Sequence, residues 1–240
     1  MISVCMATYN GEKYIEEQVK SILPQLTEED ELIVSDDGST DTTLKILKSF
    51  NDSKIKIFNH SRNLEDNHPF YPATRNFENA LLQAKGDYIF LADQDDVWLP
   101  NKIKIMLPYL KGGNLVISNA WIVNDKLEKQ CMLSKYAPFK KGFIRNLYRA
   151  TTQGCVCAFT KKIKEYILPF PKGVIIHDFW IRLLVELKFN AIYIEEPLIY
   201  YRRHAENISD LRKSKNSVFF MIKYRLVILY DILKRLNDRK

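Results

Sequence analysis

Three aspartates within four residues form the strongest chemical signal in this 240-residue sequence. Asp93, Asp95 and Asp96 directly follow the apolar run Tyr88–Ala92. Carboxylates this close repel one another, and one would be held neutral unless a cation joined them. Mg²⁺ or Mn²⁺ suits such oxygen ligands and is often shared between carboxylates and substrate phosphates. The alternative is a solvated acidic turn that caps a helix, and the buried run before it weighs against that interpretation.

A second acidic pair, Asp36 and Asp37, follows another apolar run and precedes Gly38. On its own the pair could be only a turn and a helix cap. With a second acidic cluster after another predicted strand, a nucleotide site is favoured, because a carboxylate accepts hydrogen bonds from a base N–H or a ribose hydroxyl. The sequence has no Gly-x-Gly-x-x-Gly and no Gly-Lys-Ser/Thr motif, which disfavours dinucleotide oxidoreductases and P-loop NTPases.

Two histidine-containing motifs lie in the second half of the chain. His177 and Asp178 open a predicted helix, and His204 follows a Tyr-Tyr-Arg-Arg run. Taken alone, such an aspartate is more often a helix cap and such a histidine more often a surface residue. Beside a metal-bound diphosphate, His204 could bind the metal or donate a hydrogen bond.

The segments that must position these motifs alternate between predicted strands and helices. This alternation predicts a parallel sheet with helices on both faces, and ligands of open α/β sheets bind beyond the carboxyl ends of the strands. The second half is less regular, and residues 126–150 are expected to form a loop. Strands are predicted at 2–7, 31–35, 55–58, 88–92, 115–123, 155–159, 192–194 and 198–201, and helices at 12–23, 40–50, 76–85, from Pro100, 177–187 and 217–236.

Charge is distributed unevenly along the chain, whose formal net charge is +7. Residues 1–210 hold 27 Lys+Arg and 27 Asp+Glu, whereas residues 211–240 hold 9 Lys+Arg and 2 Asp. A nucleic-acid-binding domain would carry its positive charge on its body, so nucleic acid is disfavoured as a partner. A basic C-terminal segment is instead typical of a chain that meets an anionic surface.

The cysteines and the N-terminus bear on the compartment. Cys155 and Cys157 lie two residues apart without the partners of a zinc site, so free thiols are predicted. The longest uncharged stretch has 13 residues (112–124), whereas a membrane-spanning helix needs about 18. The N-terminus lacks the basic region of a signal peptide. These features predict a cytoplasmic protein.

Five separated motifs resemble those of family 2 glycosyltransferases with the GT-A fold, and they occur in the family's order over residues 2–209. The acidic motif with the following Val97-Trp98 and Asn101–Ile103 is similar to the rhamnosyltransferase-like branch, which builds bacterial surface polysaccharides. The five motifs are Ala7–Asn10, Asp36–Asp41, Gly86–Asp96, His177–Trp180, and Tyr201–His204 with Asn207.

The resemblance implies an α/β GT-A fold: a mostly parallel, Rossmann-like central sheet flanked by helices, with a C-terminal helical extension. Residues 1–210 would form the catalytic domain, with a nucleotide-binding half at 1–110 and an acceptor half at 111–210. Residues 211–240 would form a basic amphipathic helix.

The resemblance also implies roles for individual residues. Asp178 would be the general base. The donor nucleotide would be bound by Ala7, Thr8, Tyr9, Asp36, Asp37, Asp95 and Arg75. The metal would be bound by Asp95, Asp96 and His204. The acceptor or other substrate groups would be contacted by Asp93, Trp98, His177 and Trp180.

The implied activity is inverting sugar transfer from a nucleotide-diphosphate sugar, such as dTDP-rhamnose or a UDP-hexose, to a saccharide on polyprenyl diphosphate, with Mn²⁺ or Mg²⁺ as cofactor. A metal-dependent nucleotidyl or phosphoryl transferase would use the same acids. It would usually need a Lys or Arg loop near the phosphates, and the stretch after the first strand holds only Lys13. A non-catalytic sugar-binding protein is disfavoured by the retained Asp95, Asp96 and Asp178.

The predicted C-terminal helix mixes apolar residues with Lys223, Arg225, Lys234 and Arg235. It could lie on a membrane surface and bring the enzyme to a lipid-linked acceptor, at the inner face of the cell membrane. Its apolar face could equally pack on the catalytic domain or on a partner subunit, for example in a homodimer. The two arrangements can coexist.

Overall fold

A computed structural model describes residues 1–61, 68–149, 152–204, 207 and 217–238. Within these residues, nine strands form one sheet. The strands are β1 (Ile2–Thr8), β2 (Glu31–Asp36), β3 (Ile55–Asn59), β4 (Tyr88–Asp93), β5 (Val97–Trp98), β6 (Leu115–Val123), β7 (Lys129–Met132), β8 (Cys157–Thr160) and β9 (Ala191–Arg202). Their order is β3-β2-β1-β4-β8-β6-β9-β5, and β7 pairs with β6.

The helices of the same ranges flank this sheet. They are α1 (Ile15–Ile22), α2 (Thr43–Ser49), α3 (Tyr71–Gln83), α4 (Lys102–Leu110), α5 (Phe143–Tyr148), α6 (Lys161–Ile167), α7 (His177–Lys188) and α8 (Val218–Asp238).

The first half of the sheet is parallel and deeply buried. β1, β2 and β4 are buried along almost their whole length, as expected for strands that read as continuous apolar runs. The register pairs Ala7 with Asp93 and Thr8 with Asp36. The carboxyl ends of these strands therefore bring the first three motifs to one edge of the sheet.

The second half of the sheet is mixed. β8 runs antiparallel to both β4 and β6, whereas β9 is parallel to β6 and antiparallel to β5. This arrangement places β8 next to the acidic motif at the end of β4. The parallel arrangement predicted from the sequence thus describes β1–β4 and one later pair.

Residues 126–149 differ from the predicted loop, because they contain β7 and α5. β7 extends the sheet from β6. α5 packs on α7, and the buried Asn146 donates hydrogen bonds to the carbonyls of Lys140 and Gly142 at 2.9 and 3.0 Å. The packing of α5 on α7 joins distant parts of the chain, so no local periodic pattern indicates it.

One face of α8 packs on the segment 166–179. Tyr224, Ile228 and Ile232 are buried, and Arg235 donates to backbone carbonyls of residues 166–169. Of the predicted extension 211–240, residues 211–216 and 239–240 lie outside the described residues. Among the helices described, none is long and apolar enough to cross a membrane.

Candidate functional site

Gln94, within the acidic motif, forms hydrogen bonds with the loop that follows β1. The Tyr9 amide donates to Gln94 Oε1 at 2.9 Å, and Gln94 Nε2 donates back to the Tyr9 carbonyl at 3.1 Å. Gly11 lies against the same side chain, since a Cβ atom there would lie 2.4 Å from Gln94 Oε1. The predicted base-binding segment Ala7–Tyr9 is therefore held beside the acidic motif.

Asp36 shapes the loop that follows β2. Its carboxylate accepts hydrogen bonds from Thr8 Oγ1 (3.1 Å), the Gly38 amide (3.1 Å), the Ser39 amide (2.8 Å) and Ser39 Oγ (2.6 Å). Gly38 has a φ of 80°, which glycine adopts at least cost. Because four protein donors occupy this carboxylate, Asp36 holds the turn that presents Asp37. Its contact with the nucleotide stays a prediction.

Asp36→Ala should therefore destabilise the protein, because four donors would lose their acceptor. We expect the free energy of unfolding to fall by about 2 kcal/mol in urea denaturation. Asp87→Ala is the matched control, since that carboxylate is 67% exposed, and its expected change is under about 0.5 kcal/mol. Equal losses in the two variants would contradict a structural role for Asp36.

Asp37 is buried and paired with a histidine at the end of β3. Its Oδ1 lies 2.8 Å from His60 Nδ1, and its amide donates to the Thr8 carbonyl at 2.9 Å. The carboxylate thus lies at the edge where the donor base is predicted. The sequence indicates a site role for His60 only through its position directly after β3.

Asp93 and Asp96 come together with Cys155, forming what we call the carboxylate cluster. One ligand atom from each side chain lies within 4.8 Å of the other two. Asp96 Oδ1 accepts a hydrogen bond from the Arg202 amide at 3.0 Å, whereas its buried Oδ2 has no hydrogen-bond partner among the residues that the structure describes. Cys155 reaches this place from the start of β8, so its distance in sequence concealed it.

A hard divalent cation fits the two carboxylates of this cluster. Desolvation and repulsion from Asp95 raise the pKa of Asp93 to about 7 and that of Asp96 well above its ordinary value. Mg²⁺ or Mn²⁺ would relieve the repulsion and give Asp96 Oδ2 a partner. Cys155 fits less well, because burial raises the pKa of its thiol and these cations prefer oxygen ligands. The geometry therefore adds Asp93, predicted as a substrate contact, to the candidate metal ligands.

Asp95 contacts the last motif of the chain. Its Oδ2 lies 2.8 Å from His204 Nε2 and accepts a hydrogen bond from Asn207 Nδ2 at 3.1 Å. The His204 ring packs on Tyr14, with 4.7 Å between the ring centroids. Two of the predicted metal ligands, Asp95 and His204, are thus brought together next to the carboxylate cluster.

Arg202 secures the acidic motif from the end of β9. Its buried guanidinium donates to the Asp95 carbonyl at 2.8 Å, to the Asp125 carbonyl at 2.7 Å and to the Glu17 carboxylate. Its backbone amide binds Asp96. The sequence placed Arg202 within a motif without showing this positioning role.

Lys102 is fully buried against the carboxylate cluster. Its Nζ donates to the Cys155 carbonyl at 2.8 Å and lies 4.2 Å from the centroid of the Trp98 ring. Burial lowers the pKa of Lys102 to about 8, although nearby anionic groups oppose the change. Its positive charge offsets part of the negative charge of the aspartates. A lysine in a predicted helix is ordinarily exposed, so helical spacing does not predict its burial beside the acidic motif.

Asp178 lies at the start of α7, next to the carboxylate cluster. Desolvation raises its pKa to about 7, although the backbone amides of Gly154 and Phe179 donate hydrogen bonds to it. Gly154 directly precedes Cys155, so this hydrogen bond places Asp178 beside the segment that supplies the thiol of the carboxylate cluster. The structure therefore brings the predicted base and the predicted cation site together.

Two tryptophans predicted as substrate contacts belong to the core. Trp98 is 2% exposed and packs on Phe90, with 5.8 Å between ring centroids. Trp180 is 0% exposed, and its Nε1 donates to the Ile167 carbonyl at 3.0 Å. Both rings therefore contribute to the core in this structure, and their contact with an acceptor stays a prediction.

His177 and Arg75 also hold the protein together. The His177 ring stacks on Phe77 at 4.3 Å, and burial lowers its pKa to about 3, so the ring is neutral. The Arg75 guanidinium donates to carbonyls of the loop 170–174 and to Glu78. In this structure His177 packs on α3, and Arg75 ties α3 to the loop before α7. The substrate contact of His177 and the diphosphate contact of Arg75 stay predictions.

Known proteins resemble this chain in sequence. The family model described as glycosyl transferase family 2 matches residues 3–167. The dTDP-rhamnosyl transferase RfbG of Shigella flexneri is 30% identical over 223 residues, which cover 84% of this chain and 72% of that protein. WfgD of Escherichia coli, a UDP-Glc:alpha-D-GlcNAc-diphosphoundecaprenol beta-1,3-glucosyltransferase, is 26% identical over 216 residues, covering 88% of this chain and 80% of that protein.

Solved structures show the same fold. Staphylococcus aureus TarS 1–349 in complex with UDP-GlcNAc matches with a TM-score of 0.67 at 20% identity, covering 97% of this chain and 66% of that chain. Glucosyl-3-phosphoglycerate synthase of Mycobacterium tuberculosis matches with a TM-score of 0.57 at 18% identity, covering 98% of this chain and 79% of that chain. The chain thus spans slightly less than two thirds of the TarS chain. These likenesses confirm the predicted GT-A fold. Since the family model also matches residues 3–167, the chain belongs to glycosyltransferase family 2.

Proposed function

We propose that the chain catalyses the inverting transfer of a sugar from a nucleotide-diphosphate sugar to a hydroxyl group of a saccharide acceptor. One observation carries the proposal: Asp178, a carboxylate with a pKa of about 7, lies beside the carboxylate cluster that suits the cation of a diphosphate. Membership of the family supports glycosyl transfer over nucleotidyl or phosphoryl transfer.

In the proposed reaction, Asp178 accepts the proton of the acceptor hydroxyl as its oxygen attacks the anomeric carbon. The bond between this carbon and the diphosphate oxygen breaks, and the nucleoside diphosphate leaves. Attack from the face opposite the leaving group inverts the configuration. A positioned general base contributes typically about 10²- to 10⁴-fold to the rate.

We propose Mn²⁺ or Mg²⁺ as the cofactor. The unpartnered Oδ2 of Asp96 supports Asp96 as a ligand, with Asp93, Asp95 and His204 as the further candidates. The Mycobacterium tuberculosis synthase of the same fold is in complex with Mn²⁺ and uridine-diphosphate. When bound, such a cation would neutralise charge that develops on the leaving diphosphate.

The substrate proposal follows the names of the relatives. RfbG is named for dTDP-rhamnosyl transfer, and WfgD for transfer from UDP-Glc to a diphosphoundecaprenol-linked sugar. We propose dTDP-rhamnose or a UDP-hexose as donor and a saccharide on polyprenyl diphosphate as acceptor. This reaction would serve bacterial O-antigen or capsule-type polysaccharide synthesis, at the cytoplasmic face of the membrane.

A donor screen by thermal shift tests this proposal. With Mn²⁺ and dTDP-, UDP- or GDP-sugars, we expect one class of donor to raise the Tm. At 100 times Kd, ligand binding stabilises by about 2.7 kcal/mol, or roughly 5–10 °C for a chain of this size. Turnover of that donor should release a nucleoside diphosphate. Release of pyrophosphate would contradict glycosyl transfer, and binding without turnover on any saccharide acceptor would favour a sugar-binding protein.

A further inference from the structure

The outward face of α8 carries a stripe of exposed apolar side chains. At 3.6 residues per turn, its five members fall within an arc of roughly 80°. Apolar residues scattered singly on a surface need no explanation, whereas a contiguous stripe marks an interaction site. The stripe consists of Phe219, Ile222, Leu226, Tyr230 and Leu233, which are 55% to 77% exposed.

α5 extends this stripe sideways. Ile144 and Tyr148, one helical turn apart on α5, are 74% and 80% exposed. Arg225 of α8 joins the two helices, because its Nε donates to the Leu147 carbonyl at 2.8 Å and its Nη2 to the Tyr148 carbonyl at 2.6 Å. We call these two α5 residues and the five of α8 the α5–α8 surface.

The α5–α8 surface is bordered by positive charge. Residues 129–149 contain six Lys and Arg and no Asp or Glu. On α8, Lys223 and Lys234 are exposed at one edge of the stripe, whereas Asp231 is turned towards Gly173 on the packed side. The exposed cations on the α5 side are Lys140, Lys141, Arg145 and Arg149.

We propose that the α5–α8 surface docks the protein on an anionic lipid bilayer. An apolar stripe bordered by Lys and Arg is the arrangement of helices that lie in the membrane interface. Each cation near an anionic leaflet adds to the binding. A second copy of the chain suits the surface less well, because self-pairing would bring together more exposed cations than Asp238, the exposed carboxylate at the end of α8, could pair with.

The α5–α8 surface connects to the start of α7, where Asp178 lies. The hydroxyl of Tyr224, on the packed side of α8, accepts a hydrogen bond from the Ile176 amide at 3.3 Å. The Tyr224 ring packs on Phe179, with 5.8 Å between centroids. Docking would therefore hold the start of α7 close to the bilayer, where the lipid-linked acceptor of the proposed function would lie. The docking inference itself stands on the surface and does not require that function.

Co-sedimentation of the full chain with vesicles tests the proposal. The vesicles are phosphatidylcholine with or without phosphatidylglycerol, and no donor or acceptor is added. We expect binding to the anionic vesicles that is lost with neutral vesicles or at high salt. Leu226→Gln/Tyr230→Gln and Ile144→Gln/Tyr148→Gln should each weaken binding by roughly tenfold or more, with unchanged Tm because these side chains are exposed. Leu82→Gln/Tyr109→Gln, which alters exposed apolar residues of α3 and α4, should bind as the wild type does.

A charge pair completes the test. Arg145→Gln/Arg149→Gln should weaken binding to anionic vesicles by about 25-fold, whereas Lys45→Gln/Lys48→Gln, on α2, should leave it unchanged. Wild-type protein that fails to bind anionic vesicles would overturn the proposal, as would equal losses in the control pairs. A dimer that the α8 variant dissociates, without vesicle binding, would assign the surface to contact between copies. Thermal shift with donor on the same samples separates these failures from a failure of the proposed function.

Discussion

Asp178→Asn should lower the turnover number by about 10²- to 10⁴-fold, the usual contribution of a general base. The amide keeps the shape of the side chain and still accepts hydrogen bonds from the amides of Gly154 and Phe179. It does not take up the proton of the substrate hydroxyl. Donor affinity should therefore stay close to that of the wild type. Steady-state kinetics and donor titration by calorimetry measure the two effects separately. Turnover within tenfold of the wild type would exclude Asp178 as the base.

The pH profile provides a second measurement of the same residue. Desolvation raises the pKa of Asp178 to about 7, and the proposed reaction requires its deprotonated form. In the wild type, kcat/KM should therefore fall about tenfold per pH unit below 7 and level off above it. An aspartate with an ordinary pKa near 3.9 would give a plateau from pH 5 upward. This limb should disappear from the residual activity of Asp178→Asn.

The first half of the fold could be predicted because its signals are local. Buried parallel strands read as continuous apolar runs, and polar residues after each run mark the carboxyl ends. This reasoning placed the acidic motif and Asp37 at one edge, and the register of β1 with β2 and β4 shows the motifs there. The separate roles of Asp36 and Asp37 could not be predicted in this way. The two residues are of the same type, and they differ in the hydrogen-bond donors that the folded chain brings to each carboxylate.

The positions that the sequence did not indicate depend on contacts between distant segments of the chain. Trp180 lies beside Asp178 in the sequence, yet the helix turns it into the core. Lys102 and Cys155 reach the acidic motif from α4 and from the start of β8. The charge balance of residues 1–210 concealed the cationic segment 129–149, since acids elsewhere in the chain offset it. The net charge of a long stretch of sequence therefore does not reveal a local patch of cations that one helix exposes.

Asp96→Asn should weaken Mn²⁺-dependent donor binding by about 100-fold or more, because loss of even an outer partner of a metal site costs 10- to 100-fold. The same substitution should stabilise the metal-free protein by about 1 kcal/mol or more. Within the described part of the chain, Asp96 Oδ2 has no hydrogen-bond partner, and its carboxylate is buried beside those of Asp93 and Asp95. An amide removes this repulsion and can donate to Asp93. Calorimetry with donor and Mn²⁺ measures the loss of binding. Urea denaturation in the presence of a chelator measures the change in stability.

The pH dependence of stability tests whether Asp96→Asn relieves repulsion between buried carboxylates in addition to removing a metal ligand. Asp93 and Asp96 have pKa values raised in the folded state, so their contribution to stability is fully present near pH 4 and is lost as the pH rises through the folded pKa, about 7 for Asp93. Metal-free wild type should therefore lose stability between pH 5 and 8, and Asp96→Asn should lose less. Mn²⁺ should restore the wild type but not the variant, while Asp87→Asn should behave as the wild type. A variant that is less stable than the wild type in chelator, or that keeps Mn²⁺-dependent donor affinity, would show that the carboxylate cluster is not built for a cation.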